Sequence, residues 1–111
     1  MVTQIGREHR VPVIRAPRRL VGVDAQVFHD QLDAAAEAAP GVVVIDMADL
    51  VHISNAGLRV IMQAARKARG RNAGLVFCSL SDDVRSVFRT SGLDRLVDIR
   101  PSREDATRAV D

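Results

Sequence analysis

Along the chain, short unbroken apolar runs alternate with stretches whose apolar residues recur every three or four positions. Val42-Val43-Val44-Ile45 is a continuous β-branched run, the pattern of a strand buried on both faces of a helix-covered sheet. Leu75 to Leu80 reads the same way. Val11, Val13 and Ile14 predict a strand from Val11 to Arg15, with Pro12 suggesting a sheet edge. Residues 3 to 8 make a poorer strand and Leu96 to Ile99 a short one. Asp24 is the expected N-cap of a helix carrying Val27, Phe28, Leu32, Ala35 and Ala36 at helical spacing, running to about Ala39 and stopped by Pro40-Gly41. Ser54 and Asn55, both N-cap types, open a helix to Arg69 that Gly70-Arg71-Asn72 ends. Ser81-Asp82-Asp83 caps a third helix through Thr90, closed by Gly92. Pro101-Ser102 opens a terminal helix, with Ser102 and Asp105 forming a near capping box. Pro17 to Gly22 reads as a connection, and Ala48 to Ile53 as a connection holding a short extended piece.

The resulting order, β-β-α-β-α-β-α-β-α, predicts an α/β fold: a mixed sheet of four to five strands with about four helices. With 111 residues and no linker or repeat, the expectation is one domain over residues 1–111.

Composition narrows the chemistry. Aromatic residues make up 3% of the chain, with no Trp or Tyr, which argues against a surface that stacks bases. The net charge of +2 is too small to neutralise many phosphates, so no nucleic-acid partner is expected. Cys78 is the sole cysteine, which excludes an internal disulfide and a cysteine-based zinc site and fits a reducing, cytoplasmic setting. The start, MVTQIGREHRV, lacks a signal-peptide apolar region, and the run from Gly41 to Ile45 is far too short to cross a bilayer.

The most informative segment is Val42 to Arg71. At about 100° per residue, Leu58, Ile61, Met62, Ala65 and Ala68 fall on one side of its helix. Arg59, Val60, Gln63, Arg66 and Lys67 fall on the other. The first side reads as core. The second is either a solvated face or a docking surface with Val60 as apolar contact and arginines as charged ones. The helix start has free N–H groups that favour an anion, and Gly57 allows close approach. The simpler reading, and the one the residues alone favour, is that Ser54 or Asn55 caps the helix.

Other chemistry has weaker support. Ser54 has His52 and Asp46 near in sequence, yet Ser-Asn-Ala-Gly is not a nucleophile elbow, and no enzyme activity is expected. His9, His29 and His52 lack metal-ligand spacing, and no phosphate-binding glycine loop occurs, so neither metal nor cofactor is expected. Cys78 lies in a buried strand, where a thiol is usually inert. Asp46, at a strand end, either caps the next loop or lines a crevice.

The stretch GVVVIDMADLVHISNAGLRVIMQAARKARGRNAGLVFCSLSDDVRSVFRTSGLDRLVDI resembles the STAS domain of anti-sigma factor antagonists. The resemblance rests on Asp46, on the turn Ser54-Asn55-Ala56-Gly57-Leu58 opening a helix, and on Thr90-Ser91-Gly92-Leu93. It spans roughly residues 10 to 110, the N-terminal third in pattern only. It implies a STAS-like fold and a partner switch in a bacterial transcription-regulating system. A family member binds an anti-sigma factor of the GHKL serine-kinase type and frees a sigma factor. The kinase phosphorylates the second residue of the turn, which breaks the complex, and a PP2C-type phosphatase restores it. Here that phosphoacceptor-equivalent position is Asn55, which has no hydroxyl, while Ser54 precedes it. Three readings stay open: a constitutively active antagonist, phosphorylation at Ser54, or a binding face that has left phosphorelay control. The expected partner face is Ser54, Asn55, Ala56, Gly57, Arg59, Val60, Gln63, Arg66 and Lys67, with a weak homodimer compatible and no membrane insertion. The alternative is an accessory STAS subunit of a lipid-transport ABC system, or another non-sigma regulatory module.

Overall fold

The computed structural model describes residues 5–8, 11–38, 41–70 and 74–108. Five strands form one sheet: β1 (Ile5–Glu8), β2 (Val11–Arg15), β4 (Val42–Asp46), β6 (Gly74–Cys78) and β7 (Asp98–Arg100), in the order β1-β2-β4-β6-β7. β1 pairs antiparallel with β2, and every other neighbouring pair is parallel. Parallel neighbours need a crossover, and helices supply it. These are α1 (Gly22–Ala38), α2 (Asn55–Gly70) and α3 (Asp82–Ser91). A 3-10 turn at Leu93–Arg95 leads to β7, and α4 (Arg103–Arg108) follows it. The mixed sheet and four helices are those the periodicity predicts.

Because strand side chains alternate between faces, the sheet divides the core in two. Ile14, Ile45 and Phe77 lie in one row across β2, β4 and β6 and join Phe28 and Leu32 of α1, Ile61 and Ala65 of α2, and Phe88 of α3. Phe77 and Phe88 meet edge to face at 5.3 Å. The alternate residues Val13, Val44 and Val76 form the second cluster with Val11, Cys78 and Ala106 of α4.

Several local expectations change. Residues 5–8 form a strand despite their weak pattern, because β2 supplies the ladder from Ile5↔Ile14 to Glu8↔Val11. β2 is therefore not an edge. Pro12 is tolerated because the register with β4 begins only at Val13, after the missing N–H. α1 starts at Gly22, two residues before the expected cap: the Asp24 N–H already reaches Val21 O at 3.1 Å, so Asp24 sits in the first turn, favourable to the dipole. Val27 points outward at 37% exposure, whereas Ala25, Phe28 and Leu32 are buried. β6 ends at Cys78 rather than Leu80, since Ser79 turns into the left-handed region (φ 62°). The final strand starts later, at Asp98, because Leu93–Arg95 closes into the 3-10 turn after Gly92 (φ 80°), which caps α3 in a conformation open to glycine. Ser81 accepts the Val84 N–H and Ser102 the Asp105 N–H, two of the caps predicted. The helix-ending residues 39–40 and 71–72 lie outside the described set, as does His9.

The stretch expected to be bare connection holds a strand, β3 (Arg19–Leu20). It pairs in parallel with β5 (His52–Ile53), joining Arg19 to His52 and Leu20 to Ile53. This two-stranded sheet lies directly before α1 and α2 in the chain and ties their starts together.

Candidate functional site: the turn opening the second helix

Ser54 is the cap of α2. Its Oγ accepts the Gly57 N–H at 3.0 Å and its backbone carbonyl takes the Leu58 N–H at 2.9 Å. The same hydroxyl donates to Leu20 O at 3.1 Å, and the Ser54 N–H reaches that oxygen at 3.1 Å. One carbonyl of β3 thus accepts two hydrogen bonds from one residue. Gly57 explains how the strand comes so close: a Cβ there would lie 2.3 Å from Leu20 O. The close approach expected for an anion is occupied by the protein's own backbone.

Asn55 is the first helical residue, exposed, and its side chain makes no hydrogen bond among the described residues. Ala56 is exposed beside it, whereas Gly57 is buried behind the surface. Of the two capping candidates, Ser54 does the capping and Asn55 faces outward.

Further along α2, the buried residues are Gly57, Ile61, Ala64, Ala65 and Ala68, with Leu58 and Met62 packed partly against the core. Ala64 joins the stripe because α1 packs beside α2 and widens the covered side. Arg59, Gln63 and Arg66 are exposed as expected, and Val60 is half-buried. Lys67 is exposed but carries an ion pair, with Nζ 3.0 Å from Asp33 of α1, so it also bridges the helix seam. The site residues therefore separate into an outward set (Asn55, Ala56, Arg59, Gln63, Arg66), a half-buried pair (Ser54, Val60), a seam residue (Lys67) and a buried spacer (Gly57).

The serine-histidine-aspartate idea finds no geometry. The Ser54 hydroxyl is engaged by Leu20 and Gly57, while His52 is exposed on β5. Asp46, 8% exposed, accepts the Ala48 N–H at 2.9 Å and lies 4.0 Å from Arg103 Nε, so it holds its own loop. Cys78 is buried, with Sγ 3.7 Å from Ile45 O. Among the described residues no three His, Cys, Asp or Glu side chains gather to hold a metal ion, and no helix is long and apolar enough to cross a membrane.

Sequence reasoning missed one feature here. A groove beside the turn is lined by Val51, His52, Ile53, Asp83, Val84 and Val87. The only available signal was Val51, an apolar residue in a segment read as connection.

Known proteins share this architecture. The chain is 36% identical over 86 residues to the anti-sigma factor antagonist BtrV of Bordetella bronchiseptica, itself named as a candidate for that role; the match covers 78% of this chain and 74% of BtrV. An anti-sigma-factor antagonist (STAS) domain protein from Planctomyces limnophilus superposes with a TM-score of 0.85 at 18% identity, covering 98% of this chain and 97% of that one. An anti-sigma factor antagonist from Mycobacterium paratuberculosis does so at 0.81 and 22% identity, with 98% and 92% covered. The two structures establish likeness of fold. The STAS domain family model matches residues 3–106, and the chain belongs to that family.

Proposed function

We propose that this protein is an anti-sigma factor antagonist that acts by binding and does no chemistry of its own. Its partner is an anti-sigma factor of the GHKL serine-kinase type. The docking surface is the exposed part of the 54–57 turn together with Arg59, Val60, Gln63 and Arg66, and Lys67 contributes from the edge. The observation that carries this reading is the outward Asn55, free of any capping role, at the start of α2, next to a Ser54 whose hydroxyl is already committed.

That commitment bears on the three readings of the missing hydroxyl. Phosphorylating Ser54 would remove its donated bond to Leu20 O and place about two negative charges beside that carbonyl. Asn55 has the exposure a kinase needs but no hydroxyl to accept phosphate. The favoured reading is an antagonist that stays competent to bind, with Asn55 standing where an unphosphorylated serine would stand. A PP2C-type phosphatase then has no substrate at this turn unless a serine is restored.

The test is calorimetric titration of a purified GHKL-type anti-sigma factor from the same organism, with radiolabelled ATP in parallel. Wild type is expected to bind without acquiring label, and Asn55→Ser to acquire label and then lose affinity. The Arg59→Glu, Arg66→Glu double variant should weaken binding while folding normally, since both side chains are exposed. Label on wild type that Ser54→Ala removes would refute the constitutive reading. Absence of binding at micromolar concentrations would refute the antagonist assignment.

A further inference from the structure

Next to the turn, between β5 and α3, lies a groove of about 200 Å³ that the α2 face does not include. Val51 and Ile53 line one wall and Val84 and Val87 the other, with His52 and Asp83 completing it. Val84 is fully in the core, and Ile53 and Val87 are half-buried. Val51 is 63% exposed, an apolar surface left open to solvent. Asp83 is exposed on the first turn of α3 and makes no ion pair or side-chain hydrogen bond among the described residues.

This combination selects its occupant. Aliphatic walls favour an apolar segment, and an unpaired carboxylate at the rim favours a cation. An acidic side chain would face like charge at Asp83. A purely aliphatic one would desolvate that carboxylate without replacing its hydrogen bonds. A side chain with an apolar stem and a cationic head satisfies both walls and rim. Arginine fits better than lysine because its guanidinium is planar, weakly hydrated and able to grip a carboxylate with two donors.

We propose that the groove is a second docking element and takes one arginine side chain of the protein partner. The guanidinium sits on Asp83 and the stem lies against Val51, Ile53 and Val87. The proposal rests on the antagonist reading in one respect: the same partner covers the α2 face and this groove together. The turn at 54–57 follows β5 directly, so a partner seated on Asn55 is adjacent to Val51–Ile53.

Two measurements test it. In the first, the isolated protein is titrated with N-acetyl-arginine N-methylamide and with its neutral citrulline counterpart, and methyl NMR shifts are followed. The arginine compound should move the Val51, Ile53 and Val87 methyls saturably at millimolar concentration, about fivefold more tightly than citrulline, as expected for one exposed ion pair. Asp83→Asn should remove the difference. Equal response to both compounds, or none, overturns the proposal. In the second, the anti-sigma factor is titrated against Asp83→Asn, Asp83→Arg and Asp83→Glu, with urea unfolding confirming that each variant folds. The expected order is Glu near wild type, Asn about fivefold weaker, and Arg weaker still. If wild type binds but Asp83→Arg binds equally well, the groove is not part of the interface. If wild type does not bind at all, the antagonist reading fails, and the amide titration alone decides the groove. Self-association that Asp83→Arg abolishes would make a second copy the occupant and also overturn the proposal.

Discussion

Replacing Gly57 by alanine tests whether β3 and α2 are as close as the geometry makes them. The added Cβ would lie 2.3 Å from Leu20 O and 3.0 Å from Leu20 Cβ. The nearer neighbour is backbone, which cannot rotate away, so the strand or the first turn of α2 must move. Movement threatens both hydrogen bonds from Ser54 to Leu20 O, which contribute ~1 kcal/mol each. Crowding in a packed site adds about 1–3 kcal/mol. Alanine's better helix propensity returns ~1 kcal/mol. The net expectation is destabilisation of about 2–4 kcal/mol, which at a slope of about 1.5 kcal/mol/M lowers the urea midpoint by about 1.3–2.7 M. Gly70 is the internal control. It lies on the same helix, exposed, with nothing within 4 Å of the place a Cβ would take, so Gly70→Ala should be neutral or stabilise by up to ~1 kcal/mol. Equilibrium urea unfolding followed by circular dichroism reads both. If Gly57→Ala matched wild type or exceeded it, the tight seat of Leu20 on α2 would be wrong.

Three further changes follow the same contacts. Ser54→Ala removes the α2 cap and the donor to Leu20 O and should cost about 1–2 kcal/mol in urea unfolding. Asn55→Asp puts a carboxylate on the first turn of α2; it should stabilise the free protein by about 0.3–1 kcal/mol through the helix dipole, yet weaken the proposed anti-sigma factor complex in calorimetry by adding charge to the proposed docking surface. Lys67→Ala breaks an ion pair whose partners are 45% and 27% exposed, so thermal unfolding should show a loss of no more than ~0.5 kcal/mol that fades as salt is raised.

The strands at 42–46 and 74–78 were legible because both faces of each are covered, so their apolar runs are continuous. The helix starts at 55 and 82 were legible from serine caps. What could not be read was structure defined by a partner. β3 and β5 are two residues each, and neither has a pattern of its own; they exist because Leu20 and Ile53 come into register across 33 positions of chain. β1 is the same case, a weak strand made by β2. Lys67 looked like part of a free basic face because its counter-ion, Asp33, belongs to another helix.

At the site, residue types were legible and their division of labour was not. Ser54 and Asn55 are interchangeable as caps on local grounds, and only Leu20 distinguishes them. Its carbonyl gives the Ser54 hydroxyl a second partner, fixes that side chain inward and leaves the next residue facing out. Gly57 then has a cause unrelated to any ligand: it makes room for the carbonyl that sorts the two. In the proposed partner switch the outward residue of the pair is the one on which a modification would act, and in this chain it is an asparagine. A single substitution, Asn55→Ser, would restore a hydroxyl at that position without touching the contacts that hold the turn in shape.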